Sequence, residues 1–499
     1  MSQRPSEPRR GFGRSILLGT LYMGAGGWVT YALNFLILIG IARLLGPADF
    51  GAYALIAALN EFLNLVGAGS VGHAVLQSRD ESESLHDTAY SISGILGLIG
   101  LAGALAVAPV LFFHRGADAA WFILILGVAR IATLLAGVPI ALMERSFRYG
   151  RLAWLALLTG IVPNLFALGL AWRDFGPWSL IARDVLVAAS TFGLSHVWTK
   201  QRFRFRMRRA EASRIMNFWR PMFLSRGLDT VANRVDRLAV GAFFGDAVLG
   251  LFHQARLFSE IGPMALRAVN QLAFNLYSRV QDESERLSRA AGLVNYFLVR
   301  ASFALASVFL VLPEPAIRVL LGEAWVGAAP MLRWLALYVG LVPALENLQW
   351  LLYARGQMSR GVQLRVIQIA VFAPTVLAAV LLGDAVSVAA AVSVSTGVAL
   401  AAAVWFNRGV VGGNAVRVFL TPSIVLLAAA SLCAALAAAG ALEAIPTLLL
   451  PVLPPTLFAA LLLLAERNTL LREVAYLRAQ FAQGAGGGTA PDAASPGPT

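Results

Sequence analysis

Fourteen apolar stretches of hydrocarbon length, joined by short polar links, make up most of this chain. Crossing the roughly 30 Å core of a bilayer takes about 20 mostly apolar residues. Segments that meet this need fall at 16–41, 51–76, 88–112, 119–142, 152–172, 177–197, 217–243, 249–276, 291–312, 328–352, 362–382, 385–406, 418–439 and 446–465. In lipid every backbone polar group must be satisfied within the protein, and apolar runs of this length achieve that as helices. Composition agrees: 58% of the 499 residues are hydrophobic and 13% charged, whereas soluble domains have about 25% charged residues. The expected fold is an all-α integral membrane protein of about 14 transmembrane helices.

The segment that follows the polar, basic opening (1–15) is longer than a signal-peptide core and has no small-residue cleavage site, which predicts a retained first span. Of the 40 basic residues, 27 fall on links or just inside the adjoining span ends on the side of the N-terminus and 4 on the opposite side. By the positive-inside rule both termini are expected in the cytoplasm. The same rule accounts for the net charge of +13, so no nucleic-acid partner is expected. The expected organisation is an N-terminal lobe at 16–197, a basic link at 198–216, a second lobe at 217–406, two further helices at 418–465, and a largely disordered tail at 466–499.

Several chemistries are disfavoured. Lys200 is the only lysine, and no phosphate-binding G-x-x-x-x-G-K-[ST] loop exists. The five histidines show no metal-ligand spacing, and the single cysteine, Cys433, allows no internal disulfide. No cofactor is expected. A polysaccharide polymerase or glycosyltransferase would show a large external loop or a D-x-D-like site, and the sequence has neither.

The chain repeats itself. Leu45-Gly46 with Gly51 and Tyr53 precedes the second span, and Phe244-Gly245 with Gly250 and Phe252 precedes the eighth, at an offset of 199 residues. The same offset carries Glu61 onto Glu260. Two six-helix bundles in tandem, plus two extra helices, form a transporter-like layout.

These residues resemble a known family. "ARLLGPADFGAYALIAALNEFLNLVGAGSVGHAVLQ" (42–77) resembles the opening signature of polysaccharide-type flippases. "DRLAVGAFFGDAVLGLFHQARLFSEIGPMALRAVNQLAFNLYSRVQDESERL" (236–287) is similar to their mid-chain block, and "LLGEAWVGAAPMLRWLAL" (320–337) to a later one. The resemblance covers most of 15–465 and points to the Wzx-like polysaccharide branch of the multidrug/oligosaccharidyl-lipid/polysaccharide (MOP) exporter superfamily. It implies a flippase for undecaprenyl-pyrophosphate-linked oligosaccharides in the bacterial inner membrane, working by alternating access. Implied partners are the lipid-linked oligosaccharide, membrane lipids, H+ or Na+, and polysaccharide assembly proteins. A peptidoglycan-precursor (lipid II) flippase and a MATE-like drug/cation antiporter are the alternatives.

Charge inside the seventh and eighth spans suggests where cargo would bind. At 100° per residue, Arg226, Asp229, Thr230, Asn233, Arg234, Asp236 and Arg237 share an arc of about 160°. Five charges facing lipid would cost roughly 12–18 kcal/mol on insertion scales, so this face is expected to meet water or other charges. Arg256, Glu260, Arg267, Asn270 and Gln271 share an arc of about 100° in the eighth span, where Pro263 predicts a kink. Guanidinium forks match phosphate oxygens, so Arg226, Arg234, Arg237, Arg256 and Arg267, with Asp229, Asn233, Asp236 and Asn270, are the candidate cavity residues. Interhelical ion pairs are the competing reading. Glu61 and Glu260 are candidates for ion coupling or simply satisfied buried acids. Arg183–Asp184 reads as packing or interfacial snorkelling, whereas Arg130, Arg300 and Arg333 are unassigned. "KQRFRFRMRR" (200–209) alternates basic and apolar residues, which suits a topology anchor at an anionic surface.

Overall fold

The computed structural model describes residues 33–67, 71–78, 82–201, 204–412, 416–442 and 445–485, and all regular structure among them is helical. In chain order the first helices are α1 (Leu33–Leu44), α2 (Pro47–Leu63), α3 (Val71–Gln77), α4 (Glu83–Arg115), α5 (Ala117–Arg145), α6 (Tyr149–Ala171) and α7 (Trp178–Thr199). Then come α8 (Arg209–Phe243), α9 (Asp246–Ser259), α10 (Ile261–Arg279), α11 (Ser284–Val311), α12 (Pro313–Leu320) and α13 (Ala329–Ala354). The last are α14 (Met358–Leu381), α15 (Ala385–Phe406), the short α16 (Arg408–Val411), α17 (Thr421–Ala438) and α18 (Leu453–Ala485). Ten helical segments among the described residues are long and apolar enough to cross a membrane. They coincide with expected spans three to six and nine to fourteen, so the chain is a multi-pass, all-α membrane protein.

The other four expected spans depart from a simple apolar rod. The first is described only from Leu33 onward. The second is α2, then a 3-10 turn at Asn64–Gly67, then α3, with 68–70 outside the described residues. The seventh is α8, continuous but too charged to read as lipid-facing all round. The eighth breaks at Glu260 between α9 and α10. Pro263 explains the break: it has no N–H to return to the Ser259 carbonyl, four residues back. The kink expected at Pro263 is thus realised three residues earlier, as an interruption.

Local chemistry sets the helix ends. The Ser82 hydroxyl accepts the Leu85 N–H at 3.3 Å and starts α4. Lys200 ends α7 in a left-handed conformation, φ 53°, donating its N–H to the His196 carbonyl at 2.8 Å. Asp384 starts α15 by accepting the N–H groups of Val386 and Ser387 at 2.9 and 3.0 Å. The Ser387 hydroxyl, at 2.6 Å, is the main reason its carboxyl is held below the usual carboxylate range, and those N–H groups add to the effect. Prolines within α4, α5, α6, α13 and α14 are of the kind membrane helices accommodate, because neighbours re-satisfy the freed carbonyls.

The chain divides into two compact units, each discontinuous in sequence. One holds residues 1–259, 317–335 and 362–399; the other holds 260–316, 336–361 and 400–499. Within the first unit the repeated motif finds its physical meaning. A Cβ on Gly51 of α2 would fall inside the Asp246 carbonyl, and a Cβ on Gly250 of α9 inside the Pro47 carbonyl. Residues 47 and 246, like 51 and 250, are 199 apart, so this close helix crossing is reciprocal. Each repeat supplies the glycine that admits the other repeat's backbone, as small residues do at membrane helix interfaces.

The same symmetry extends to the turns. Trp325 donates its indole N–H to the Ala42 carbonyl at 2.8 Å, and Arg115 donates to the carbonyl of Gly241, again 199 residues on, while pairing with Asp246. Side chains thus satisfy the ends of α1 and α8 in parallel fashion. Replacing either Gly51 or Gly250 by alanine is expected to destabilise the protein by about 1–3 kcal/mol through overpacking, read as a lowered melting temperature in detergent. The same change at Gly137, where an added Cβ meets open space, should have little effect.

Candidate functional site

The charges of the first unit converge from five helices. On α7, Arg183 donates to Asp184 at 2.8 Å and to the Tyr53 hydroxyl of α2 at 2.7 Å, and that hydroxyl donates to Asp184 at 2.8 Å. This closed triangle leaves each polar group answered. About two turns further along α2, Glu61 forms an ion pair with Arg234 of α8, with side chains 44% and 27% exposed. The partly buried His253 of α9 lies within electrostatic reach of both Arg234 and Arg183.

Arg130, about halfway along α5, completes the group. It lies within electrostatic reach of Glu61, yet its guanidinium makes no hydrogen bond or ion pair among the described residues, and its Nε is buried. The cluster therefore sets three guanidiniums (Arg130, Arg183, Arg234) against two carboxylates (Glu61, Asp184). A surplus cation within a membrane span must be answered by water or by an anion.

The candidates named from sequence separate into several environments. Arg234 lies in the converging cluster. Asn233 and Arg237 are its neighbours on α8, and Arg237 is 6% exposed. The side chains of Arg226 and Asp229 lie outside the described residues. Asp236 and Arg256 depart from the expected cavity-lining role: each is 1% exposed, and the Arg256 Nε donates to Asp236 at 3.2 Å while its Nη1 donates to the Ser259 hydroxyl at 3.0 Å. Their helical phase matches that of Arg234, but packing of α9 against α8 closes over them. They form a buried ion-paired seam.

In the second unit Asn270 is also buried rather than cavity-facing, at 1% exposure. Its amide donates to the Pro343 carbonyl and to Glu346, both at 3.3 Å, and accepts from Asn347 at 3.0 Å. Asn347 in turn accepts from Tyr277 at 2.8 Å and Asn295 at 2.9 Å. This network ties α10, α11 and α13 together by side-chain hydrogen bonds, a common means of holding membrane helices. Arg267 is exposed and Glu260 partly buried at the helix break.

Other functional side chains carried weak sequence signals. Tyr53 is the aromatic of the repeated motif, and its partner, Phe252, has no hydroxyl, a difference that marks the first copy as the one with a polar task. Glu466, placed in the tail by sequence, is instead 5% exposed at its side chain, where α18 departs from helical geometry (φ −128°, ψ 18°). It accepts from Arg300 Nε at 2.8 Å and from Tyr296 at 2.9 Å, which assigns Arg300 to packing.

Residues 41–330 match the family described as polysaccharide biosynthesis protein. The chain is 26% identical over 330 residues to the succinoglycan biosynthesis transport protein ExoT of Rhizobium meliloti strain 1021, an alignment that covers 63% of this chain and 64% of that protein's length. Among solved structures, it is similar to the lipid II flippase MurJ in an inward closed conformation, with a TM-score of 0.71 at 12% identity, covering 90% of this chain and 100% of the other. An inward-facing multidrug resistance MATE family transporter of the MOP superfamily gives a TM-score of 0.59 at 16% identity, covering 76% and 94%. The last two likenesses establish the fold.

Removing one partner of the Asp236–Arg256 seam should take the opposite charge away from a buried ion. Arg256→Gln is expected to cost about 3–5 kcal/mol, measured by thermal unfolding of the detergent-solubilised protein. The paired change Arg256→Met with Asp236→Leu should recover most of that loss; a role in binding rather than packing would show no such recovery.

Proposed function

The chain belongs to the polysaccharide biosynthesis protein family, and from that premise we propose that it translocates a lipid-linked, undecaprenyl-pyrophosphate-type oligosaccharide across the bacterial inner membrane, with both termini in the cytoplasm. The transport role is supported by the name of the Rhizobium relative and by a fold shared with MOP-superfamily transporters. The observation that carries the choice of cargo is the unanswered guanidinium of Arg130 within reach of the Arg234–Glu61 pair. A pyrophosphate supplies the missing anion. Its oxygens suit planar guanidinium forks, and charge-assisted bonds of this kind are about twice as strong as neutral ones.

In this reading Glu61 is the internal stand-in for cargo. It holds Arg234 when the site is empty and is displaced when pyrophosphate arrives. Protonation or ion binding at Glu61 would favour the exchange, which gives the acid its coupling role. Asn233 and Arg237 flank the phosphate site. Arg226 and Asp229 are assigned to the same face by their helical phase alone. The surplus of positive charge disfavours a cationic drug as cargo, since an antiporter of cations needs the opposite balance.

The test uses transport of a fluorescent lipid-linked oligosaccharide in proteoliposomes beside surface polysaccharide in cells. Arg130→Gln and Arg234→Gln are each expected to reduce transport about 10–100-fold, the effect of losing a charged hydrogen bond of about 1.5–3 kcal/mol, with normal membrane abundance. Arg234→Lys should retain part of the activity, because a lysine keeps the charge and loses the fork. Unchanged transport in both glutamine variants contradicts the assignment.

A further inference from the structure

The link between α7 and α8 is not accounted for by transport of a lipid-linked glycan. It begins where α7 ends, beside the start of α4: the Tyr90 hydroxyl and His196 Nε2 lie 3.2 Å apart and join the two helices, and the Arg208 N–H donates to the Thr88 hydroxyl at 3.2 Å. Both helices have the length and apolarity to cross a membrane. Their joined ends therefore lie at one membrane surface, and the link runs along it.

Between these ends lies a polar cavity of about 310 Å³ lined by Glu83, Asp87, Lys200, Gln201 and Arg204. Its charges are arranged in depth. Asp87 is only 6% exposed, and its carboxylate has no hydrogen bond or ion pair among the described residues. Glu83 and Arg204 pair at the rim, 3.5 Å apart and largely solvated. Lys200 is exposed and likewise unpaired among the described residues. A carboxylate at the inner end of the cavity, with no partner among the described residues, favours a cation beside it, while Lys200 and Arg204 at its mouth suit an anion.

A ligand with those two charges, ammonium inside and phosphate outside, is zwitterionic. The flanking residues say where it comes from. Phe205 and Met207 are 63% and 52% exposed and alternate along an extended stretch with the exposed Arg204, Arg206 and Arg208. Apolar side chains set between cations at the end of membrane helices fit the boundary between acyl chains and headgroups. We propose that this cavity binds the headgroup of an amino-phospholipid, with its primary ammonium on Asp87 and its phosphate on Lys200 and Arg204. A choline headgroup has no N–H to donate to Asp87 and fits less well. The site is independent of the cargo cluster and of the transport reading.

The test is native mass spectrometry of the purified full chain equilibrated with equimolar phosphatidylethanolamine, phosphatidylcholine and phosphatidylglycerol. Phosphatidylethanolamine is expected to be retained over phosphatidylcholine by about tenfold, equivalent to about 1.4 kcal/mol. Asp87→Asn should bring that ratio near unity, whereas Arg206→Gln, outside the cavity, should leave it unchanged. If Asp87→Asn does not fold, the exposed Lys200→Ala serves in its place and should lower retention of phosphatidylethanolamine. Equal retention of all three lipids, preference for phosphatidylglycerol, or the wild-type ratio in the cavity variants overturns the proposal. Binding of free phosphoethanolamine with no retained phospholipid overturns the lipid as its source.

Discussion

A guanidinium within a membrane span has to be answered by another group, and the ways in which this chain answers its arginines organise the structure. Arg256 is sealed against Asp236, Arg300 is held by Glu466 and Tyr296, and Arg183 is closed into a triangle with Asp184 and Tyr53. Each of these fixes helices at the cost of desolvating two charges, an arrangement that survives only with good geometry and further hydrogen bonds. Arg234 has a partner that stays partly open, and Arg130 has none among the described residues. The progression from sealed to unanswered separates side chains that hold the fold from those available to a ligand.

The second constraint is the reciprocal approach of α2 and α9. Two glycines 199 residues apart let each repeat's backbone press on the other's, and the turns that precede these helices are capped in parallel by Trp325 and Arg115. Because the crossing leaves no room for even a methyl group, α2 and α9 are held in fixed register there. Glu61 and His253, on those two helices, are thereby brought to the neighbourhood of Arg234. The repeated motif and the charge cluster are one construction: the glycines set the distance at which the charges meet.

Much of the fold was legible because membrane spans are written in hydropathy. Ten segments were readable as uninterrupted apolar runs, and two of the three motifs behind the resemblance to polysaccharide-type flippases lie within the family match, which the third overlaps. The interruptions were less so. Pro263 signalled the break in the eighth span, although the break falls at Glu260; the 3-10 turn at Asn64–Gly67 had no comparable marker beyond glycine content. For the site, helical phase placed Arg234, Asp236 and Arg237 on one face of α8. Phase cannot say which part of a face another helix covers, and α9 covers Asp236 while Glu61 meets Arg234. The burial of Asn270 was hidden for the same reason, since its partners Asn347 and Glu346 lie some 75 residues away in sequence. Arg130 was visible as a charge inside a span but could not be assigned, because its significance is the lack of a partner among the described residues, a property of the assembled helices.

Recognition of a pyrophosphate requires Arg130 and Arg234 to act on one anion. A double-mutant cycle on equilibrium binding of undecaprenyl pyrophosphate to the protein in nanodiscs tests this most directly, with Arg130→Gln, Arg234→Gln and the pair. Two guanidiniums that share a pyrophosphate should be coupled by about 0.5–3 kcal/mol, with the double variant losing less than the sum of the single losses. Additive losses, or wild-type affinity in either single variant, would contradict it.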